Sequence, residues 1–213
     1  MSNQARNNIL SKIKQALVKQ VPVPFSQINM EQSVFAAQKD EAAIEFAQNF
    51  TGLLGNFAYC ENEAELALQL NHLIKIKNLT NIYCREPDLK YTLNKNGYKN
   101  FDAFDVKNCD AAITTCEYLI ARTGSIILSS GGQGSRQVSV YAPIHICIAY
   151  TSQLVYNISD GIKLMEKKYR NEGLPSMVTV ATGPSRTADI EKTLVVGVHG
   201  PKEVYLFLVE DVK

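Results

Sequence analysis

The chain has 213 residues, a formal net charge of +1 and a 20% share of charged residues, long enough for one domain, or one domain with an extension, to bury a sizeable core. That charge balance argues against a nucleic-acid protein, because phosphate binding needs a concentrated basic surface. No apolar run reaches bilayer-spanning length, and "MSNQARNNILSKIKQALVKQ" lacks a signal-type apolar core, so the expected location is the cytoplasm.

Ile9, Leu10, Ile13, Ala16 and Leu17 recur at helical spacing, which predicts an amphipathic helix from about Ala5 to Lys19. "VPVPF" breaks it, since proline cannot continue the turn. Residues 1–24 are therefore expected as a helix and linker, and 25–213 as the main domain. A second helix is expected through "KDEAAIEFAQNFTGLLG", closed by Gly52 or Gly55. "NFAYCE" then reads as a strand, and "NEAELALQLNHLIKIKN" as a helix with Asn62 as its cap. "TNIYCRE" is a strand, "PDLKYTLNKNG" a short helix opened by proline, and "NFDAFDV" an extended piece. "DAAITTC" is a strand, "EYLIAR" a helical turn and "GSIILSS" an apolar strand. After a glycine loop come the strands "RQVSVYA" and "IHICIAY", then the helix "ISDGIKLMEKKYRNEG". The tail gives the strand "MVTVATG", a short helix "RTADIEKTL" and the strand "VYLFLVE". Strands alternating with helices predict an α/β fold, an open and mostly parallel sheet flanked by helices. The hairpin-like strands within 125–150 imply some antiparallel pairing.

Four places carry candidate chemistry. The loop "GGQGSR" is no P-loop, and Gly132 and Gly134 give only G-x-G, with Gln137 at the third glycine position. Its permissive backbone, with Ser129, Ser130, Ser135 and Arg136, reads equally as an anion cradle or as a hairpin with a solvated arginine. In "ATGPSRTADIEKTL", Gly183 and Pro184 turn the chain, Ser185 or Thr187 caps the expected helix, and Arg186 sits beside Asp189 in its first turn. A strand end followed by a helix start is where open α/β sheets bind ligands, although Asp189 also suits a first turn for electrostatic reasons alone. His199 lies in a tight turn formed by Gly197, Gly200 and Pro201, and His145 lies within "PIHICIAY". Both read more simply as hydrogen-bonded structural histidines, His145 within a sheet buried on both faces. Glu117 follows a strand end and fits a nucleophile, a base or an ordinary helix-start carboxylate. The five cysteines are odd in number and contain no C-x-x-C pair, so they offer no disulfide framework, zinc site or iron–sulfur ligand set.

From "ARTGSIIL" through "APIHICIA", and again over "TGPSRTADIEKTLVVGVHGPKEVYLFLVED", the sequence resembles the LUD-domain family, and within it the lactate-utilisation protein C branch. The leader "ARNNILSKIKQAL" is also similar to that family's N-terminal helix. The resemblance implies a fold like the ribose-phosphate isomerase, glucosamine-phosphate deaminase and CoA-transferase group. It also implies a role in oxidising L-lactate to pyruvate beside iron–sulfur oxidoreductase subunits. The signature positions it marks are Thr123, Gly124, Pro143, His145, Gly183, Pro184, Ser185, Asp189, His199, Gly200 and Pro201. Arg122 stands where relatives often carry an acidic residue, and Tyr141 where they often carry leucine. Lacking clustered thiolates, the chain is not expected to be the redox subunit. The expectation is a cofactor-free accessory component in which Gly131–Arg136 and Ser185–Asp189 together bind a small carboxylate or phosphate anion. The alternative is a CoA-transferase-like or sugar-phosphate-isomerase-like enzyme using Glu117. The N-terminal helix is expected to dock onto partner subunits.

Overall fold

The computed structural model describes residues 3–18, 38, 40–101, 103–131, 137–187 and 195–211. The chain divides into two units, Met1–Ala37 and Gln38–Lys213. In the first, helix α1 spans Asn3–Leu17, with Ile9, Leu10, Ile13 and Leu17 exposed and no acidic residue along its length.

The second unit opens with helix α2 (Ala42–Gly52), strand β1 (Asn56–Cys60), helix α3 (Glu63–Ile76), strand β2 (Ile82–Tyr83) and helix α4 (Pro87–Lys95). Strands β3 (Ala111–Thr114), β4 (Tyr118–Ile120) and β5 (Ser125–Ser129) follow, then helix α5 (Val138–Tyr141) and strand β6 (Ile144–Tyr150). After β7 (Leu154–Val155) and helix α6 (Ile158–Lys168) come β8 (Val178–Ala181), β9 (Arg186–Thr187), β10 (Val195–Val196) and β11 (Glu203–Val209).

A five-stranded sheet runs β1-β11-β6-β3-β2, and every pairing in it is parallel. Helix α3 starts where expected, because the Asn62 side chain accepts from the Glu65 N–H at 2.9 Å. Its Leu66, Ala67, Leu70 and Ile74 bury against Ile144, Ile146, Ile148, Phe207 and Val209 of β6 and β11. The opposite face of those two strands, through Cys147, Ala149, Leu206 and Leu208, packs on Phe46 and Phe50 of α2 and on Leu119 and Ile126. Both faces are buried, which is why these two strands read as nearly continuous apolar runs, interrupted in β6 by His145. A second sheet runs β7-β4-β5-β8, with β5 antiparallel to both β4 and β8.

Four expectations change. "EYLIAR" is not a helical turn: Leu119 and Ile120 are fully buried in β4, and a 3-10 turn over Ala121–Thr123 reverses the chain into β5. "RQVSVYA" is not a strand either. Val138 and Ala142, four residues apart, are buried together while Val140 and Tyr141 face solvent, the spacing of one helical turn. The strands within 125–150 do not form a hairpin, because β5 and β6 belong to different sheets. Arg186–Thr187 is a short strand paired antiparallel with Val195–Val196 rather than a helix start; residues 188–194 lie outside the described residues.

Gly124 makes the β4–β5 reversal possible. It adopts φ 59°, and a Cβ there would lie 2.5 Å from the Phe50 backbone nitrogen of α2. Gly124→Ala is therefore expected to cost about 2 kcal/mol or more in urea denaturation. Gly97→Ala is expected to cost only about 1 kcal/mol, since Gly97 shares a positive φ but has open space around it. Equal costs would show that the approach of α2 is not what constrains Gly124.

Candidate functional site

The C-terminal ends of parallel strands carry unpaired backbone groups, and here they also carry two buried carboxylates. Glu86 lies shortly beyond β2, and Glu117 three residues beyond β3; they are 8% and 6% exposed. Glu86 accepts the Thr115 N–H at 3.0 Å and the Thr115 hydroxyl at 2.5 Å. Glu117 Oε1 accepts the Ser129 hydroxyl at 2.5 Å and the Tyr169 hydroxyl at 2.7 Å, while Oε2 takes the Lys168 ammonium at 2.8 Å. The Gln153 side chain donates to the Cys116 carbonyl at 2.6 Å and anchors the same turn.

These surroundings push the two carboxyls apart. Burial raises Glu86 above the ordinary carboxylate range, and the hydrogen bonds from Thr115 only partly offset it. Burial is also the largest single influence on Glu117, but hydrogen bonds from Lys168, Ser129 and Tyr169 outweigh it together and hold that carboxyl below the ordinary range. A readily protonated carboxyl and a firmly ionised one at the same sheet edge are a pattern that acid–base sites use.

The glycine loop is rooted at this cluster. Ser129 hydrogen-bonds Glu117, the Gly131 N–H donates back to the Ser129 hydroxyl at 3.1 Å, and Ser130 N–H donates to the Met177 carbonyl at 3.0 Å. Gly132, Gly134 and Arg136 themselves lie outside the described residues.

Several of the family-signature positions gather at the other end of the β5–β8 ladder. Thr123 and Ser125 share a hydroxyl contact of 2.7 Å, and Ser125 meets Thr182 at 2.9 Å. Gly183, at φ 79°, passes so close to the Leu53 carbonyl that a Cβ would sit 2.5 Å from it. Ser185 N–H donates to the Pro201 carbonyl at 2.9 Å, and Lys202 N–H to the Pro143 carbonyl at 2.8 Å. His199 and Arg186 are exposed, and Asp189 lies outside the described residues. Four strand steps of about 3.4 Å separate the two ends of β5, about 14 Å in all. The described roots of the two expected anion-binding stretches therefore stand at opposite poles.

His145 belongs to neither pole. It is 1% exposed, its Nε2 lies 2.8 Å from the Thr114 hydroxyl, and burial pushes its imidazolium down to about 4. Glu86, Lys168 and Tyr169 were not among the residues expected from the sequence. Glu86 had one available signal, since it follows a strand end as Glu117 does. Lys168 and Tyr169 had none. All five cysteines are free, and Cys116 alone among them is half-buried rather than buried. Among the described residues no cluster of histidine, cysteine or carboxylate groups is arranged to hold a metal, and no helix is long and apolar enough to cross a membrane.

A family model described as the LUD domain matches residues 43–209. "Lactate utilization protein C" of Halalkalibacterium halodurans is 39% identical over 106 residues, covering 49% of this chain and 46% of that protein. Its namesake in Deinococcus radiodurans is 36% identical over 106 residues, 49% of each chain. The matched segments thus span about half the length of these curated relatives. A crystal structure of a DUF162 family protein from Deinococcus radiodurans superposes with a TM-score of 0.58 at 20% identity, covering 79% of this chain and 96% of that one, which is a likeness of fold.

The neutral His145 has a consequence for acid stability. Its folded pKa of about 4 lies below the ordinary 6.5. Between those values the unfolded chain binds more protons, so stability falls as pH drops from 6.5 to 4, by up to roughly 3 kcal/mol. His145→Gln is expected to flatten the dependence of melting temperature on pH across that window. An unchanged slope would show that His145 is not the group responsible.

Proposed function

The chain belongs to the LUD domain family, and on that premise we propose that it serves L-lactate utilisation as an accessory component that binds a small carboxylate or phosphate anion. The names of the matched relatives support the pathway. One observation supports the ligand. Lys168 gives one hydrogen bond to Glu117 while its side chain remains 54% exposed, at the root of the glycine loop. An ammonium carries three N–H donors, and among the described residues Lys168 commits one of them, to Glu117, which leaves donors to offer an incoming carboxylate. The neighbouring ion pair is electrically balanced, and Arg136 on the loop supplies the charge that matches the ligand. In this reading Glu117 holds Lys168 and the loop root in place. The partners are iron–sulfur oxidoreductase subunits, contacted through the basic, apolar-faced helix α1.

A second reading makes the protein a CoA-transferase-like or sugar-phosphate-isomerase-like enzyme with Glu117 as nucleophile or base. Its burial and ionisation favour that reading. Against it, three donors already occupy the carboxylate oxygens, and a nucleophile must first shed one of them.

Calorimetric titration of L-lactate, pyruvate and inorganic phosphate separates these readings. The native chain is expected to bind at least one of them, and Lys168→Ala and Arg136→Ala to weaken it tenfold or more, while Arg186→Ala, at the other pole, leaves it unchanged. No binding by the native chain at millimolar ligand sinks the anion site. A Glu117-dependent adduct in intact-mass spectra after incubation with acyl-CoA donors establishes the second reading instead. Deleting residues 1–24 is expected to abolish capture of the iron–sulfur subunits without lowering the melting temperature; retained capture refutes docking through α1.

A further inference from the structure

The five-stranded sheet stops at β1, whose outer backbone edge has no partner strand among the described residues. Bare edges invite pairing, and natural proteins usually blunt them with lysine, proline or a bulge. The strand "NFAYC" contains no lysine or proline, and it pairs with β11 residue for residue, without a bulge.

Both faces beside this edge are largely apolar, the second with Glu41, Gln48 and Glu210 also in its lining. On one, a groove of about 540 Å3 runs between β1 and α3, lined by Ala58, Leu68, His72, Leu73, Ile76 and Tyr205. On the other, a groove of about 610 Å3 runs between β1 and α2, lined by Ala43, Ile44, Ala47, Phe57, Tyr59 and Leu154. Leu68 is 71% exposed, Ile76 60% and Ile44 50%. An unpaired strand flanked on both sides by exposed aliphatic side chains has the form of half an interface.

The charge pattern identifies the other half. Helix α3 carries Glu63 and Glu65 in its first turn and Lys75 in its last. If β1 pairs antiparallel with β1 of a second copy, the two-fold axis stands normal to the sheet, and each α3 meets its equivalent on the same face, running the opposite way. The acidic start of one helix then faces the basic end of the other. Glu65 comes opposite the second copy's Lys75, with Leu68 and His72 near the axis. Lys77 is already committed to Glu203 at 2.7 Å and is not needed. The same rotation brings the two α2 helices together through Ile44 and Ala47. Glu65 accepts hydrogen bonds from the neutral Glu61 N–H and Gln69 amide and so keeps its negative charge, and a second copy of this chain supplies the lysine that complements it.

We propose that the chain forms a two-fold dimer through its β1 edges, joining the two parallel sheets into one continuous sheet with α3 against α3 and α2 against α2. The interface is self-complementary, as a closed two-fold requires. It is independent of the ligand reading, because neither Glu117 nor Lys168 lines either groove.

Sedimentation equilibrium of the full chain tests this. At micromolar concentration the expected mass is twice the 23.6 kDa of the monomer. Leu68→Glu, an outward-facing change that leaves the core intact, is expected to weaken the dimer at least tenfold, and Glu65→Lys to weaken it in a salt-dependent way. Combining Glu65→Lys with Lys75→Glu is expected to restore wild-type association, since the pair is reversed on both sides of the axis. Circular dichroism melts check that each variant folds. A monomer at all concentrations overturns the proposal. So does a dimer indifferent to Leu68→Glu, a dimer lost only on deleting residues 1–24, or a double charge reversal that fails to restore association.

Discussion

Strand β11 is the keystone of the fold. It is the last strand in the sequence, yet it lies second in the sheet, between β1 and β6, with Val204, Leu206, Leu208 and Val209 buried on its two faces. Among the described residues β1 pairs with the rest of the sheet through β11 alone, in register from Asn56 with Tyr205 to Cys60 with Val209. Helix α3 packs against one face of this pair and α2 against the other. The sheet therefore cannot close until residues some 150 positions apart have met, a non-local pairing that makes assembly slow relative to a helical bundle of similar length.

What was legible in the sequence follows from this arrangement. Strands β6 and β11 are buried on both faces, so their composition alone announced them, and Asn62 announced the start of α3. Short elements whose identity depends on tertiary context were not legible. "YLI" becomes a strand because β5 lies ready to pair with it, and "VSVYA" becomes a helical turn because Ala112 offers a surface to Val138 and Ala142. Alternation and i,i+4 spacing coincide over five residues, and only the neighbour decides between them.

The candidate site was half legible for the same reason. A carboxylate after a strand end could be noticed, but the partners of Glu117 lie 12, 51 and 52 residues away, on elements whose approach no local pattern records. The signature glycines show the converse. Gly124 and Gly183 were legible as special positions, yet what they serve is the close passage of the end of α2, at Phe50 and Leu53. A motif can thus mark where a backbone must squeeze past another as readily as where a ligand sits. Placing those glycines at one pole and the paired carboxylates at the other separates what fastens the two sheets together from what is chemically poised.

Two hydrogen bonds at the glycine loop's root run in series toward Glu117. The Gly131 amide donates into the Ser129 hydroxyl, which spends its single proton on Glu117. This small relay has a fixed polarity only while Glu117 is ionised. Protonation of that carboxyl weakens the reason for the serine to donate inward, whereas withdrawal of Lys168 leaves the carboxylate charged and the serine held. The orientation of the Ser129 hydroxyl, and of the Gly131 amide that donates to it, is thus tied to a charge held 12 residues away.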